Sequence, residues 1–369
     1  MKIIHCADLH LDSKLTANLS KEQAKERRVE LLQTYERMVS YASEQGIRAI
    51  IIAGDMFDTN RVSALARNTV IGTIVNHPEI DFYYLKGNHD FNNALEILDE
   101  PPENLKLFQD TWHTYVVDPE TGGSVTVTGV ELEQCKNDSI YDSLVLEHDK
   151  FNIVVLHGQE SVYGIKDKAE TVNLGALRNK GIDYLALGHI HTYKVQELDK
   201  RGVYCYPGCL DGRGFDETGV CGFVLLDIDE EKRTCKSEFI PFASRTLYVK
   251  HVDISDCMTS IQIAGRVGQE LDREGYSDRS LIKVVLTGNV DIECEKNIEY
   301  LKKQLENRCY FLKIYDETRF AVDYRAFALD ESLKGEFVRT VNAAADLDEE
   351  TKAEIIRYGI QALAGEEIG

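Results

Sequence analysis

Residue types that bind metal ions or transfer protons are concentrated in five short motifs, each directly after a predicted strand. In chain order the motifs read DxH, GDxxD, GNHD, HG and GHxH. Their candidate residues are Asp8, His10, Asp55, Asp58, Asn88, His89, Asp90, His157, His189 and His191. Carboxylate, amide and imidazole groups bind divalent ions, and one carboxylate can bridge two ions about 3.5–4 Å apart. The set therefore predicts a dinuclear metal site.

The specificity of this prediction comes from the ordered set of motifs. A single DxH or GxH sequence occurs often by chance, but five of the ten histidines lie in these motifs, and no packing requirement explains that. Two pairs, Asp8 with His10 and His189 with His191, are two residues apart. On strand-like backbone each pair would share one face. Gly54, inside the second motif, leaves room for another group to approach closely.

The elements that must position these motifs alternate between strands and helices over the first two-thirds of the chain. We predict strands at residues 2–6, 49–53, 82–86, 151–156 and 182–187, and helices at 20–46 and 63–76. This alternation is typical of a layered α/β domain. Because ligands bind at the carboxyl ends of strands in such sheets, all five motifs should meet at one edge. Glycine-rich short strands at 203–239 predict antiparallel pairs that close one side of the domain.

A change in composition near Ser244 indicates a second domain. Residues 247–253, 261–273, 281–287, 297–306 and 310–315 follow a β-α-β-α-β pattern, which predicts a small α+β module. Two helices are predicted at about 331–345 and 349–363. Their apolar positions lie at helical spacing: Phe337, Val338, Val341, Ala345, Ile355, Ile356, Ile360 and Leu363. We therefore expect domains at 1–244, 245–322 and 323–369.

The charge and cysteine content limit the classes of function. Lys and Arg total 42 against 63 Asp and Glu, giving a formal charge of −21, and no dense basic run is present. A protein that binds DNA alone usually carries a basic stripe, so metal ions and a partner would have to supply positive charge if DNA is the substrate. Nine cysteines without a CxxC pair or a predicted leader favour a cytoplasmic protein, and no apolar run predicts a membrane span. Side chains that could contact a DNA strand, or be ordinary surface groups, are Lys14, Arg61, Tyr163, Lys166, Lys168, Arg178 and Arg213.

The order of the five motifs resembles that of the calcineurin-like metallophosphoesterase superfamily over residues 1–240. Residues 4–13, 184–191, 206–208 and 213–217 narrow this resemblance to the SbcD family of DNA repair exonucleases, counterparts of the Mre nuclease of eukaryotes and archaea. The module after Ser244 resembles that family's capping domain. The helical tail stands where such proteins bind the root of an SMC-type ATPase, and family members are often dimers.

The resemblance implies a role for each candidate residue. One ion would be bound by Asp8, His10 and His191, and the other by Asn88, His157 and His189, with Asp55 bridging them. His89 would face the scissile phosphate as proton donor or electrostatic stabiliser. Asp58 would orient His89, although several relatives carry a histidine at this position. For Asp90 we expect packing or capping of the next turn. The family resemblance favours Mn²⁺ as the activating metal.

We expect a metal-dependent DNA exonuclease and endonuclease that forms the nuclease subunit of an SbcCD-type repair complex, with DNA and an SbcC-like ATPase as partners. The alternative is a stand-alone metallophosphoesterase acting on nucleotides or other small phosphodiesters. A non-enzymatic scaffold is a third interpretation. Residues after 245 favour the nuclease, because a small-molecule phosphodiesterase has no obvious need for a capping module and a tail. The full ligand set disfavours a scaffold.

Overall fold

The structure is a computed structural model. It describes residues 1–15, 19–58, 61–90, 101–118, 123–132, 140–161, 171–292, 294–322 and 324–364. These residues belong to two compact units, Met1–Thr246 and Leu247–Gly369. Across the described residues, no helix has the length and hydrophobicity needed to span a membrane.

Two six-stranded sheets form the centre of the first unit. Its strands are β1 (Lys2–Cys6), β2 (Ala49–Ala53), β3 (Asp81–Leu85), β4 (Leu105–Leu107), β5 (His113–Val116), β6 (Val125–Gly129), β7 (Phe151–His157), β8 (Gln159–Ser161), β9 (Thr171–Asn173), β10 (Tyr184–Gly188), β11 (Lys194–Glu197), β12 (Val203–Tyr206), β13 (Gly222–Asp229) and β14 (Thr234–Pro241). The sheet orders are β14-β13-β1-β2-β3-β4 and β11-β12-β10-β7-β6-β5, and β8 pairs with β9. The predicted layered α/β fold is confirmed.

Helices cover the outer face of the first sheet. They are α1 (Lys21–Glu44) and α2 (Ala64–Asn76), with the short α3 (Leu174–Leu177) on the second sheet. Helix α1 is capped by Ser20, whose side chain accepts a hydrogen bond from the backbone N–H of Gln23 in a capping box. Its buried face includes Tyr35 and Met38, as the 3.6-residue pattern predicts.

Successive residues of the central strands enter different cores. In β1, Ile3 packs between the two sheets, while Ile4 packs under α1 and α2. In β2, Ile51 and Ile52 divide in the same way. Because side chains alternate between the faces of a strand and both faces are covered, these strands read as continuous apolar runs.

The parallel strands bring the motifs to one edge. β1, β2 and β3 are parallel neighbours in the first sheet, and β7 and β10 are parallel neighbours in the second. The two sheets meet closely there, because a Cβ placed on Gly188 would lie 1.9 Å from the carbonyl oxygen of Ala53. The motifs that follow these five strands therefore face one another.

The glycine-rich strands after residue 203 differ from the prediction. β13 and β14 form an antiparallel pair next to β1, but β12 runs parallel to β10 in the other sheet. The expectation that they all close one side of the domain is wrong, because the chain crosses from one sheet to the other between β12 and β13. Turn signals mark where strands end and do not reveal which sheet the next strand joins.

The second unit contains a three-stranded parallel sheet and four helices among its described residues. Its elements are β15 (Leu247–Asp253), α4 (Ser260–Glu274), β16 (Leu281–Thr287), β17 (Asn289–Asp291), α5 (Ile298–Leu305), β18 (Phe311–Asp316), β19 (Arg319–Ala321), α6 (Leu333–Asn342) and α7 (Glu349–Ala364). The sheet order is β15-β16-β18, with α4 and α5 as the crossover helices. The β-α-β-α-β pattern is found as predicted.

The two tail helices pack on each other and on their own unit. Val338 of α6 and Ile356 of α7 are 1% and 0% exposed, in a cluster that also includes Val322. Six of the eight apolar positions predicted for the tail are therefore at least partly buried inside the second unit. Leu333 and Leu363 stay exposed, at 70% and 46%.

Candidate metal centre

Left-handed backbone turns the motif residues toward one another just beyond the strand ends. Asp8, His10, Asp55 and His189 have φ of 50°, 44°, 53° and 104°. Such conformations cost about 1–3 kcal/mol each in non-glycine residues, and they cluster at functional sites. The prediction of strand-like backbone for Asp8–His10 and His189–His191 is wrong. The backbone of Asp8 instead donates to the carbonyl oxygen of Gly54 at 3.1 Å, and that of His10 to the carbonyl oxygen of Asp55 at 2.9 Å.

One group of ligand atoms comes from both sheets. Asp8, His10 and His191 have potential ligand atoms within 4.8 Å of one another. The two Nε2 atoms of His10 and His191 are 3.2 Å apart. Asp8 accepts hydrogen bonds from the backbone of His189 at 2.9 and 3.0 Å, which fixes its carboxylate between the two sheets.

A second group surrounds Asn88. Its Oδ1 lies 2.9 Å from Nε2 of His157 and 3.3 Å from Nδ1 of His189. The ring of His157 is held at its other nitrogen by the carbonyl oxygen of Ala53, at 2.9 Å. These residues follow β3, β7 and β10, so this group also draws on both sheets.

Asp55 lies between the two groups. Its Oδ2 is 3.6 Å from Nε2 of His10 and 3.5 Å from Nε2 of His157, one residue from each group. Its Oδ1 accepts from the backbone of His89 at 2.9 Å. A carboxylate in this position can share one oxygen between two ions.

Whether the site can hold metal ions depends on where the lone pairs of its ligand atoms point. The hydrogen bonds of the histidines leave lone pairs that face one another. His157 donates from Nδ1 to Ala53, and burial lowers its pKa, so its neutral Nε2 and the amide oxygen of Asn88 are both acceptors. His191 is held at Nδ1 by Glu217, so its Nε2 points at that of His10. Two nitrogens that bind one ion at about 2.1 Å each stand about 3–3.4 Å apart. The donor set therefore fits two divalent ions.

The buried negative charge of the site also favours the binding of cations. Asp8 and Asp55 are 0% and 1% exposed. Burial, and after it the charge of Asp55, raises the pKa of Asp8 well above its ordinary value. Two carboxylates are costly to bury together unless cations offset their charge.

Asp58 contacts two histidines. Its Oδ1 is 3.3 Å from Nδ1 of His10 and 3.5 Å from Nδ1 of His89, and its Oδ2 accepts from Ser13 at 2.8 Å. Burial alone would raise the pKa of Asp58, but hydrogen bonds from His10 and Ser13 and the charge of Arg213 hold it well below its ordinary value. The side chain of His89 is 48% exposed, in keeping with a group that reaches a substrate.

Asp90 has a sharper role than the predicted packing or capping. It is buried and accepts hydrogen bonds from the backbones of Phe57 at 2.9 Å, Met56 at 3.2 Å and Gly87 at 3.0 Å. Burial, followed by the charge of Asp55, raises the pKa of Asp90 to about 6. This side chain joins the loop of the third motif to that of the second.

Sequence reasoning missed Glu217. Its Oε1 lies 2.8 Å from Nδ1 of His191, and its carboxylate also binds Arg213. The available signal was its four-residue spacing from Arg213 within the 213–217 segment. Of the other side chains proposed to contact a strand, Arg178 donates to the carbonyl oxygen of Leu198, and Lys14 and Arg61 are exposed. Tyr163, Lys166 and Lys168 lie outside the described residues.

Comparisons with known proteins identify phosphoesterase relatives of this chain. The family described as "Calcineurin-like phosphoesterase" matches residues 1–193. The uncharacterized metallophosphoesterase YhaO of Bacillus subtilis is 27% identical over 242 residues, covering 62% of this chain and 57% of that protein. The DNA double-strand break repair protein Mre11 of Methanopyrus kandleri is 25% identical over 323 residues, covering 80% of this chain and 67% of that protein. Its namesake in Sulfolobus acidocaldarius is 25% identical, covering 95% of this chain and 93% of that protein.

Proposed function

This chain belongs to the calcineurin-like phosphoesterase family, and from that premise we propose that it hydrolyses phosphodiester bonds of DNA at a dinuclear metal centre. The observation that carries the hydrolytic chemistry is the position of Asp55, whose Oδ2 lies 3.6 and 3.5 Å from one histidine of each ligand group. Asp8, His10 and His191 would hold one ion. Asn88, His157 and His189 would hold the other, with Mn²⁺ the metal we propose.

The residues would divide the work of hydrolysis between binding and proton transfer. Two bound ions supply charge neutralisation at the phosphate and a water of lowered pKa. His89, half-exposed beside the ligands, would donate a proton to the leaving oxygen or stabilise the negative phosphate. Asp58 would hold His89 through Nδ1, 3.5 Å away, and leave Nε2 free to face the substrate.

The extent of the similarity to repair proteins favours DNA as the substrate. The family match ends at residue 193, but the two relatives named Mre11 align over 80% and 95% of this chain. The larger alignment must include much of the second unit, which begins at Leu247. Similarity confined to the phosphoesterase domain would leave the second unit unmatched. We therefore favour the nuclease over a stand-alone phosphoesterase for small phosphodiesters.

The acidic charge of the chain supports an ATPase partner in DNA binding. With a formal charge of −21, the chain has little to attract the phosphate backbone apart from its metal ions. We propose that an SbcC-like ATPase supplies the basic surface. Because Val338 and Ile356 are buried, the partner would contact the exposed apolar residues of the tail region, which include Leu329 at 93% and Leu333 at 70% exposure.

A direct comparison of substrates tests the proposal. The purified protein, alone and with an SbcC-like ATPase, is incubated with Mn²⁺ and duplex DNA, single-stranded DNA, nucleotides or an aryl phosphodiester. We expect cleavage of DNA that stops with chelator and returns with Mn²⁺. Turnover of nucleotides or the aryl ester, with no cleavage of DNA under any of these conditions, would favour the stand-alone phosphoesterase.

A further inference from the structure

A buried carboxylate from a distant loop supports one of the metal ligands. Glu217 lies between β12 and β13, and its side chain is only 2% exposed. Its Oε1 is 2.8 Å from Nδ1 of His191, the nitrogen that faces away from the ligand group. The loop is anchored at this histidine, since the backbone of Cys209 donates to the carbonyl oxygen of His191 at 3.3 Å.

Arg213 joins this carboxylate to a second one. Its guanidinium donates to Oε1 of Glu217 from Nε at 3.0 Å and from Nη2 at 2.5 Å, and its backbone N–H donates to Oε2 at 2.6 Å. Nη1 of the same guanidinium lies 3.2 Å from Oδ1 of Asp58. The guanidinium of Arg213 therefore contacts two carboxylates that hold histidines. One is Glu217, which contacts His191, and the other is Asp58, which contacts His10 and His89.

We propose that Arg213 and Glu217 are positioning residues that hold the histidines of the metal centre in their binding orientation. Glu217 keeps the proton of His191 on Nδ1, so that the lone pair of Nε2 faces the ion. Arg213 holds Glu217 and Asp58 in a fixed relation and so links His191 to His10. This inference rests on the proposed metal centre, and loss of such a supporting partner typically costs about 10–100-fold in metal affinity.

The same loop provides a matched control for general structural effects. Asp211 is also a buried carboxylate paired with an arginine, at 2.9 Å from Nη2 of Arg27. Its other contacts are Thr34 and the backbone of Ser244, and among the described residues it forms no hydrogen bond or ion pair with a proposed ligand. Asp211→Asn makes the same kind of change as Glu217→Gln, a buried carboxylate to an amide, without touching a histidine of the site.

Calorimetric titration with Mn²⁺ alone, combined with thermal unfolding of the metal-free proteins, tests the inference. We expect Glu217→Gln to bind one of two ions about 10–100-fold more weakly than the wild type. Asp211→Asn should melt at lower temperature but bind both ions with wild-type affinity. Arg213→Lys keeps the charge but loses the planar fork, so it should also weaken Mn²⁺ binding, and it serves as a second variant if Glu217→Gln does not fold.

The outcomes separate this inference from the proposed function. Absence of Mn²⁺ binding by the wild-type protein would contradict the proposed metal centre itself. A wild-type protein that binds two ions, with Glu217→Gln and Arg213→Lys binding them equally well, would overturn the positioning role alone. Weakened binding in Asp211→Asn to the same degree as in Glu217→Gln would also overturn it, because the effect would then be a general loss of structure.

Discussion

At the scale of single residues, the centre depends on side chains whose second contact fixes their orientation. Asp55 uses one oxygen to accept from the backbone of His89 and leaves the other between His10 and His157. This arrangement requires left-handed backbone conformations, which are energetically unfavourable, at four of the candidate ligands. The residue types were readable from the sequence, whereas these conformations arise from contacts between distant loops.

His89 should affect the rate of cleavage and not the binding of metal. Its side chain is half-exposed, and it contacts the first ligand group through the ring of His10. We expect His89→Ala to bind two Mn²⁺ ions yet cleave about 10²–10⁴-fold more slowly, the usual contribution of a general acid or base. Calorimetry and single-turnover rates check this, with the exposed His113 changed to Ala as control. A loss of metal binding that matches the loss of rate would make His89 a ligand instead.

Asp58 should contribute both to the rate of cleavage and to the binding of metal. If Asp58 only orients His89, Asp58→Ala should lower the rate of cleavage less than His89→Ala does. The structure also places its Oδ1 3.3 Å from Nδ1 of His10 and 3.2 Å from Arg213, so we expect Asp58→Ala to weaken Mn²⁺ binding as well. Ser13→Ala, which removes one hydrogen bond and keeps the carboxylate, should have a milder effect on both. Unchanged Mn²⁺ affinity in Asp58→Ala would limit its role to His89.

At the scale of elements, strand order determines which motifs meet. The pattern of apolar strands followed by polar motifs predicted that the motifs share one edge. In the structure, the motifs follow the ends of β1, β2, β3, β7 and β10 and lie at that edge. Contacts made by loops were harder to predict. Glu217 approaches His191 because the chain crosses between sheets after β12, and no periodic pattern records that crossing. Asp90 was visible within its motif, but its hydrogen bonds to the second motif were not.

Gly54 is where the two sheets allow no additional atom. Its φ is 93°, and a Cβ there would lie 2.1 Å from Nδ1 of His157. We expect Gly54→Ala to lower the free energy of unfolding by at least about 1–3 kcal/mol, from overpacking and strain, and to weaken Mn²⁺ binding through His157. Thermal unfolding and calorimetry measure the two effects.

The matched control is Gly265→Ala in helix α4, where a Cβ would have no neighbour within 4 Å. Alanine is favoured over glycine inside a helix by about 0.5–1 kcal/mol, so this change should be neutral or stabilising. Equal behaviour of the two variants would mean that the approach of the sheets at Gly54 is looser than the structure indicates.

At the scale of the whole molecule, the proposed ATPase partner concerns the acidic charge and the helical tail. Most of the tail's apolar positions pack inside the second unit, so deletion of residues 325–369 would expose apolar core residues as well as remove the proposed docking surface. A point substitution separates these effects. The sequence predicted the apolar spacing of the tail helices, but it did not determine what would cover them. Docking on the capping module and docking on an ATPase partner both require the same apolar pattern.

Leu333→Glu should disrupt the proposed ATPase contact without unfolding the chain. Leu333 is 70% exposed, and a charge there costs little in the isolated protein but would be buried in a partner groove. We expect loss of co-purification with the ATPase and of ATP-stimulated DNA degradation, with wild-type thermal unfolding and wild-type hydrolysis of an aryl phosphodiester. Val338→Glu, at a position 1% exposed, should instead destabilise the second unit. Normal ATPase binding by Leu333→Glu would place the interface elsewhere.

We propose that Asp55 bridges two metal ions, and crystals grown with Mn²⁺ would show whether it does. Anomalous diffraction at the manganese edge locates the ions independently of any assumption about ligands. We predict two peaks about 3.5–4 Å apart, both within bonding distance of the Asp55 carboxylate, one beside His10 and His191 and the other beside His157 and Asn88. A single peak, or two peaks of which neither contacts Asp55, would rule out Asp55 as a bridging ligand.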